Sequence, residues 1–232
     1  MVNLLKPEAG ESILDIGCGA GGSIAPLLEM GLNVTGLDAS PYMLELAANR
    51  LGQKVDLYRG VAEDLPFDDN SFNHAFFFIS LEFIDDAAKA IEEACRVAKD
   101  RVFFGFLNRF ALKGVQRWRK SFWSSDVFAH ARLFSVWELK KQVRSIAGPV
   151  PIAWRTVCQL PHTSGNMFQT IERSAILQRC PFGAFAGMVV TLVPRFRTRP
   201  LAMRYQPEKG RRVLPKSIPA GPAGMDSNNS HP

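Results

Sequence analysis

The 232-residue sequence lacks any apolar run long enough to form a membrane helix. About 18 consecutive apolar residues are needed to cross a bilayer, so we expect no transmembrane segment. Residues 1–11 are too few and too often interrupted by charge to form a signal peptide. These absences argue against an integral membrane protein and favour a cytoplasmic one.

Cysteine and histidine are also scarce, with four of each in the whole chain. The cysteines are scattered, without a C-x-x-C pair or the spacing of metal ligands, which predicts a reduced protein with neither structural disulfides nor a metal site. His74 falls inside a predicted strand and is expected in the core. His130 is a weak candidate for a catalytic base or substrate contact, and His162 is a weaker one.

Acidic residues are scarce in the second part of the chain. Residues 1–100 contain 7 Lys and Arg against 17 Asp and Glu, whereas residues 101–232 contain 21 against 5. Such asymmetry favours a polyanionic or membrane-surface partner. It is equally consistent with two faces of one domain that neutralise each other.

Strand and helix signals alternate through the first half of the sequence. Strands are predicted at 12–17, 33–40, 55–60, 72–81 and 101–107, and helices at 23–31, 41–52 and 85–99. This alternation predicts right-handed βαβ crossovers and a parallel sheet.

The alternation of strand and helix signals ends after Leu107. A helix is predicted at 135–148, with Ser135 as its N-cap and Glu138 three residues later. The strand-like runs 154–160 and 185–193 have no clear crossover helix between them, so we expect an antiparallel pair at the sheet edge. We predict one domain over 1–197, with lid-like insertions at 108–134 and 162–183, and a basic, disordered tail at 198–232.

A glycine-rich stretch, "DIGCGAGG" at 15–22, follows the first predicted strand and precedes a helix. Its glycines fit both the dinucleotide spacing G-x-G-x-x-G and the tighter G-x-G-x-G, so their spacing does not identify a cofactor. A carboxylate at Asp15 would repel a pyrophosphate but would suit S-adenosylmethionine, which has no phosphate and a free ammonium. The alternative is that Asp15 binds the amides of the loop.

Together, "ILDIGCGAGG", Asp38, "VAEDLPF" (61–67) and "SFNHAFFFISLEFI" (71–84) resemble the class I S-adenosylmethionine-dependent methyltransferases, specifically the type 11 group that includes ubiquinone-biosynthesis methyltransferases. The resemblance covers roughly residues 5–107. It implies a Rossmann-like, doubly wound α/β fold. The sheet would have seven strands, mostly parallel with an antiparallel edge strand.

The resemblance also implies cofactor contacts. Asp15, Gly17, Cys18 and Gly19 would meet the methionine end and the ribose, and Asp38 would hold the ribose hydroxyls. Adenine would lie between Ala39 and Met43, near Ala62 and Glu63, and Phe78 would face the methionine portion. The chain departs from the family pattern at Val61 and Asn73, where the family has Asp, and at Phe83, where His is common.

The insertion at 108–134 interleaves basic and aromatic residues after the fifth strand, and we name Arg109, Arg117 and Trp118 as candidate substrate contacts. It fits a substrate lid, a surface for anionic lipid or nucleic acid, or a covering helix with solvated cations.

The predicted function is methyl transfer from S-adenosylmethionine to an O, N or C nucleophile of a small, anionic molecule by in-line displacement. A nucleic-acid methyltransferase is disfavoured because "FFFISLEF" lacks the N/D-P-P-Y/F motif that aligns a base amine. A non-catalytic methyltransferase-like protein is the third possibility, motivated by Val61, Phe83 and the short N-terminal segment.

Overall fold

The computed structural model describes residues 1–110, 131–157 and 181–192, which form a sheet with helices on both faces. The strands are β1 Ser12–Ile16, β2 Asn33–Asp38, β3 Asp56–Arg59, β4 Phe72–Phe78, β5 Ala98–Leu107, β6 Ile152–Val157 and β7 Phe185–Thr191. The helices are α1 Val2–Leu5, α2 Ala25–Glu29, α3 Pro41–Leu51, α4 Ala87–Val97 and α5 Val136–Ala147. Two short 3₁₀ turns span Gly52–Lys54 and Leu81–Phe83.

The seven strands lie in the order β3-β2-β1-β4-β5-β7-β6. Strands β1 to β5 are parallel, whereas β7 runs antiparallel to both of its neighbours, β5 and β6. This confirms the predicted parallel sheet with an antiparallel pair at one edge; β7 lies one position inside the edge strand β6. The chain reverses its direction of travel across the sheet between β1 and β4, and ligands of open α/β sheets bind beyond the carboxyl ends of the strands at that point.

Helix boundaries follow the capping residues in the sequence. The Ser40 hydroxyl accepts a hydrogen bond from the Met43 amide, and Pro41 occupies the first position of α3. In the same way, the Ser135 hydroxyl accepts from the Glu138 amide at 3.1 Å and starts α5. Both caps satisfy amides that have no partner within the helix.

Two hydrophobic cores, one on each face of the sheet, explain the phenylalanine runs in β4 and β5. Phe77 and Phe104 stack 5.4 Å apart in the core beneath α4 and α5. Phe76 and Phe103 face the opposite core, beneath α1, α2 and α3. Because successive side chains of a strand point to opposite faces, consecutive phenylalanines in β4 and β5 supply both cores.

Within these described ranges, no helix has the length and apolar character needed to cross a membrane. Several sequence predictions lie outside the described residues. These are the central part of the 108–134 insertion with Arg117, Trp118 and His130, most of the 162–183 insertion with His162, and the 198–232 tail.

Candidate functional site

The glycine-rich turn after β1 folds back against the end of β2. The amides of Gly17 and Cys18 both donate to the Leu37 carbonyl, at 2.8 and 3.0 Å. Gly17 has φ +76°, and a Cβ at this position would stand 2.5 Å from the Cβ of Ser80. Both the left-handed backbone and the close approach of Ser80 therefore require glycine here.

Asp38 joins this turn to the start of α3. One carboxylate oxygen accepts from the Gly19 amide at 2.8 Å, and the other accepts from the Ser40 amide at 2.8 Å. The carboxylate is thus fixed at the carboxyl end of β2, beside the turn that follows β1.

A cavity of about 480 Å³ opens at this edge of the sheet. It includes seven of the ten predicted cofactor residues: Gly17, Gly19, Asp38, Ala39, Met43, Ala62 and Glu63. The remaining wall is formed by Leu37, Gly60, Val61, Ile79, Ser80, Phe83, Ile84 and Asp85. The structure therefore brings together residues from three separate motifs.

Three predicted cofactor residues do not line this cavity. Asp15 is fully buried beneath the turn, where the Ser23 hydroxyl donates to its Oδ2, while its Oδ1 has no hydrogen-bond partner among the described residues. Cys18 is also buried, and burial raises the pKa of its thiol. Phe78 packs instead against the ring of Phe185, 5.5 Å away.

Burial raises the pKa of Asp15 to about 7, and the nearby negative charge of Asp38 acts in the same direction. The hydrogen bond from Ser23 opposes this rise because it stabilises the carboxylate. Asp15 thus keeps its proton to higher pH than an ordinary carboxyl does.

The cavity wall is acidic. Asp38, Glu63 and Asp85 line it, and no Lys or Arg does so among the described lining residues. Carboxylates attract a cationic ligand and repel a phosphorylated one. The carboxylates that face the cavity therefore repel a pyrophosphate and suit a cationic cofactor, as was predicted for Asp15.

The segment between β4 and α4 forms the wall opposite Asp38. Ile79 has φ +55°, an uncommon conformation for a β-branched residue, and its amide donates to the Gly105 carbonyl at 2.8 Å. Ser80 then turns back, donating from its hydroxyl to the Ile16 carbonyl at 2.6 Å. The end of β4 is thereby tied to both β1 and β5.

Glu82 was not singled out in the sequence, but it ties this wall to the segments that follow β5. Its side chain accepts from the Leu107 amide at 2.7 Å, and its carbonyl accepts from the Arg132 amide at 2.8 Å. The residue is 2% exposed, and burial raises its pKa to about 7. Its position after an apolar strand gives no hint of a partner 25 residues away.

A second buried cluster supports the wall that contains Val61 to Glu63. The Arg96 guanidinium donates to carboxylate oxygens of Glu93 and Asp69, and to the carbonyls of Leu65 and Phe67. Glu93 in turn accepts from the Leu65 amide at 2.9 Å. This helix-borne ion cluster fixes the course of the loop that follows β3.

Val61 lines the cavity, is half exposed and offers no carboxylate. Glu63 is the acidic residue of this stretch that reaches the cavity, and its Oε1 also accepts from the Asp86 amide at 3.3 Å. Asp64, the next acid in the sequence, is not among the lining residues.

The predicted substrate contacts are only partly within the described residues. Arg109 does not line the cavity, and its guanidinium pairs with Glu138 at 3.3 Å and donates to the Leu133 carbonyl. His74 is buried, as expected, and its Nε2 lies 2.9 Å from a Glu11 carboxylate oxygen.

The region that forms this cavity is similar in sequence to known methyltransferases. Residues 14–106 match the Methyltransf_11 family, described as a methyltransferase domain. The chain is 39% identical over 97 residues to a demethylmenaquinone methyltransferase of Clavibacter sepedonicus, covering 41% of this chain and 40% of that protein. It is 37% identical over 98 residues to an uncharacterised methyltransferase of Mycobacterium tuberculosis H37Rv, covering 42% and 40%. The chain thus spans about two fifths of the length of these curated relatives.

The fold also matches solved structures. A protein of Thermotoga maritima, described as a possible histamine N-methyltransferase, superimposes with a TM-score of 0.60 at 24% identity, covering 82% of this chain and 86% of that one. At this identity the likeness establishes the fold alone.

Proposed function

Because residues 14–106 of this chain belong to the type 11 group of class I methyltransferase domains, we propose that the protein transfers a methyl group from S-adenosylmethionine to a small molecule. The observation that carries the proposal is the cavity wall with three carboxylates and, among its described residues, no Lys or Arg. When bound, S-adenosylmethionine supplies a methyl group on a positively charged sulfur. A wall of this charge suits that cation and its free ammonium, and opposes a dinucleotide.

Different residues of the cavity bind different parts of the cofactor. Asp38, held by two backbone amides, keeps further lone pairs for the hydroxyls of a ribose. Ala39 and Met43 flank the adenine, with Ala62 and Glu63 beside it. Gly17 and Gly19 allow the backbone to approach the ribose and the methionine end closely.

Asp15, Cys18 and Phe78 are proposed as supports of the cofactor site. Asp15 acts from beneath the turn through its charge and its bond to Ser23. Cys18 and Phe78 contribute through their backbone, Phe78 beside the methionine portion, because the Phe78 ring packs against Phe185.

Methyl transfer is an in-line displacement, so the protein mainly aligns the acceptor with the methyl group and excludes water. Apolar side chains at Ile79, Phe83 and Ile84 line the part of the cavity opposite Asp38 and suit an apolar acceptor. Demethylmenaquinone, the acceptor in the names of several relatives, is therefore the first compound to test. The candidate contacts Arg109, Arg117, Trp118 and His130 would act on the acceptor, and the reaction is proposed to occur in the cytoplasm.

Binding tests the cofactor directly. Isothermal titration calorimetry should detect S-adenosylmethionine binding in the micromolar range, and Asp38→Ala should abolish it. Glu45→Ala is the matched control, since Glu45 is an exposed acid of α3 that does not line the cavity. No binding at millimolar cofactor would instead favour the non-catalytic alternative.

Activity tests the acceptor. Incubation with S-adenosylmethionine and a short-chain demethylmenaquinone should yield S-adenosylhomocysteine and a product heavier by one methyl group. Cofactor binding without turnover would leave the cofactor assignment standing and reject this acceptor. Methylation of RNA with strongly salt-dependent affinity would support the nucleic-acid alternative.

A further inference from the structure

Helix α5 has an exposed face that combines tryptophan with cations. Trp137, Lys141 and Arg144 are exposed and are spaced four and three residues apart, so they follow one another along one side of the helix. The other side packs into the core through Val136, Leu139, Val143 and Ala147. The helix is therefore amphipathic, and its outward stripe is positively charged.

Neighbouring residues strengthen this charge. We define the α5 cationic face as Arg109, Arg132, Lys140, Lys141 and Arg144. Arg109 and Arg132 both pair with Glu138, at 3.3 and 3.1 Å. Glu138 is the one acidic residue of the described segment 131–157. The face thus contains five cations, two of which pair with Glu138, and it stays positive at neutral pH.

Two aromatic side chains lie beside this face. The rings of Phe110 and Trp137 meet edge to face with centroids 5.9 Å apart, although the residues are 47% and 54% exposed. Tryptophan next to lysine and arginine is typical of protein surfaces that enter the headgroup region of a bilayer, since the indole is apolar with one polar N–H.

The position of this surface relates it to the cavity. Asn108 forms a parallel bridge with Phe134, so Phe110 and the first turn of α5 lie at the carboxyl end of β5. This is the edge of the sheet at which the cavity opens. Val157, at the end of β6, and Phe182, before β7, are also exposed at this edge, each at 44%.

We propose that the α5 cationic face and the Phe110–Trp137 pair dock this protein on an anionic lipid bilayer, with the cavity edge of the sheet toward the headgroups. The cations match anionic headgroups, and the exposed apolar side chains match the acyl boundary beneath them. RNA would neutralise the cations but would leave Val157 and Phe182 in water. A docked molecule would draw an apolar acceptor from the bilayer in which it dissolves.

Vesicle flotation tests the proposal with the full chain and no cofactor, so its result is independent of the proposed function. Phosphatidylcholine vesicles with one third phosphatidylglycerol should bind the protein, and pure phosphatidylcholine vesicles should bind it far less. The triple variant K140Q/K141Q/R144Q should lower the partition coefficient at least about tenfold, because each cation near an anionic surface contributes substantially. Trp137→Ser should lower it further without changing the salt dependence.

The matched control is K6Q/K54Q/K99Q, which removes the same charge from exposed lysines near the amino ends of strands. It should bind vesicles as the wild type does. The proposal would be overturned if both triple variants lost vesicle binding equally. It would also be overturned if the wild type bound equally to vesicles with and without phosphatidylglycerol. Displacement of the protein from vesicles by an equimolar polyuridine oligonucleotide would overturn it as well.

Folding is checked separately by the melting temperature of each variant. If K140Q/K141Q/R144Q is unstable, Lys141→Glu on the α5 cationic face is compared with Lys99→Glu near the amino end of β5. Lys141→Glu should then lose vesicle binding, whereas a loss caused by Lys99→Glu alone would refute the docking surface.

Discussion

Position 73 has Asn where the family pattern has Asp, and the hydrogen-bond partners of Asn73 explain this difference. Its Oδ1 accepts from the amide and hydroxyl of Ser12, and its Nδ2 donates to an Asp100 carboxylate oxygen at 3.0 Å. A carboxylate at position 73 has no donor to offer Asp100 and would repel it. The amide at position 73 is thus matched to the acid at the start of β5.

Asn73→Asp should therefore destabilise the fold by about 1–2 kcal/mol at neutral pH, through one lost hydrogen bond and one like-charge contact. Urea unfolding measures the change. The double variant N73D/D100N reverses the donor and the acceptor and should recover most of the lost stability. If N73D/D100N is no more stable than N73D, the hydrogen bond between positions 73 and 100 does not contribute to the free energy of unfolding.

Glu82 makes stability depend on pH because burial raises its pKa from an ordinary 4.5 to about 7. The folded state holds its proton to higher pH than the unfolded chain does. Its contribution is thus fully present below about pH 4.5 and is lost as pH rises to about 7.

Glu82→Gln should remove this dependence while keeping an oxygen that accepts from the Leu107 amide. Relative to the variant, the wild type should lose about 3 kcal/mol of unfolding free energy between roughly pH 4 and pH 8, since one pKa unit corresponds to about 1.4 kcal/mol. Urea unfolding of both proteins across this pH range provides the measurement. The contribution of Asp15 to the pH dependence cancels in the comparison because both proteins contain this residue. Parallel stability curves would contradict the assignment.

At the scale of elements, strands and caps could be predicted because their signals are local. Pro41 and Ser135 mark helix starts through contacts within four residues. The apolar runs of β4 and β5 predict strands that are buried on both faces. The ion cluster of Arg96 could not be predicted, because an arginine on an amphipathic helix is ordinarily solvated. Its burial depends on how the loop after β3 packs on α4.

Removing Arg96 should test how this loop is held. Arg96→Met leaves Glu93 and Asp69 buried without their cation and should cost about 3–5 kcal/mol in unfolding free energy. The further changes E93Q and D69N in the same chain should recover part of that cost, because they remove the uncompensated charge. Urea unfolding compares the three proteins. An Arg96→Met variant within about 1 kcal/mol of wild type would show that the cluster does not hold the loop.

For the whole molecule, the part of the chain that the structure describes places a group of acids and a group of cations at different positions. The acids Asp38, Glu63 and Asp85 face the cavity, whereas the α5 cationic face lies beyond β5. The sequence indicated the imbalance but left open whether the two signs neutralise each other. Among the described residues, the cavity acids lie at the end of β2 and after β3 and β4, whereas the α5 cationic face follows β5.

Seven of the fifteen residues that line the cavity followed from motifs, and among them Gly17, Gly19 and Asp38 are positioned by turns at strand ends. Asp15 has the right sequence position but a different location, because a side chain inside a parallel strand points into the packed interior rather than toward the ligand edge. Phe83 and Asp85 were not predicted as cavity residues. Their place depends on the unusual turn at Ile79, which no periodicity reveals.

An acidic cavity predicts that charge on the ligand, and not only its shape, determines affinity. S-adenosylmethionine has a sulfonium, whereas S-adenosylhomocysteine has the same frame with an uncharged sulfur, so the pair isolates that charge. The Debye screening length shortens from about 30 Å at 0.01 M salt to about 3 Å at 1 M. Added salt therefore weakens the attraction between a cationic ligand and carboxylates near solvent. Calorimetry across this range should show the dissociation constant of S-adenosylmethionine rising several-fold more than that of S-adenosylhomocysteine. Glu63→Gln with Asp85→Asn should reduce that difference, and equal salt dependence of the two ligands in the wild type would contradict an electrostatic role for the cavity wall.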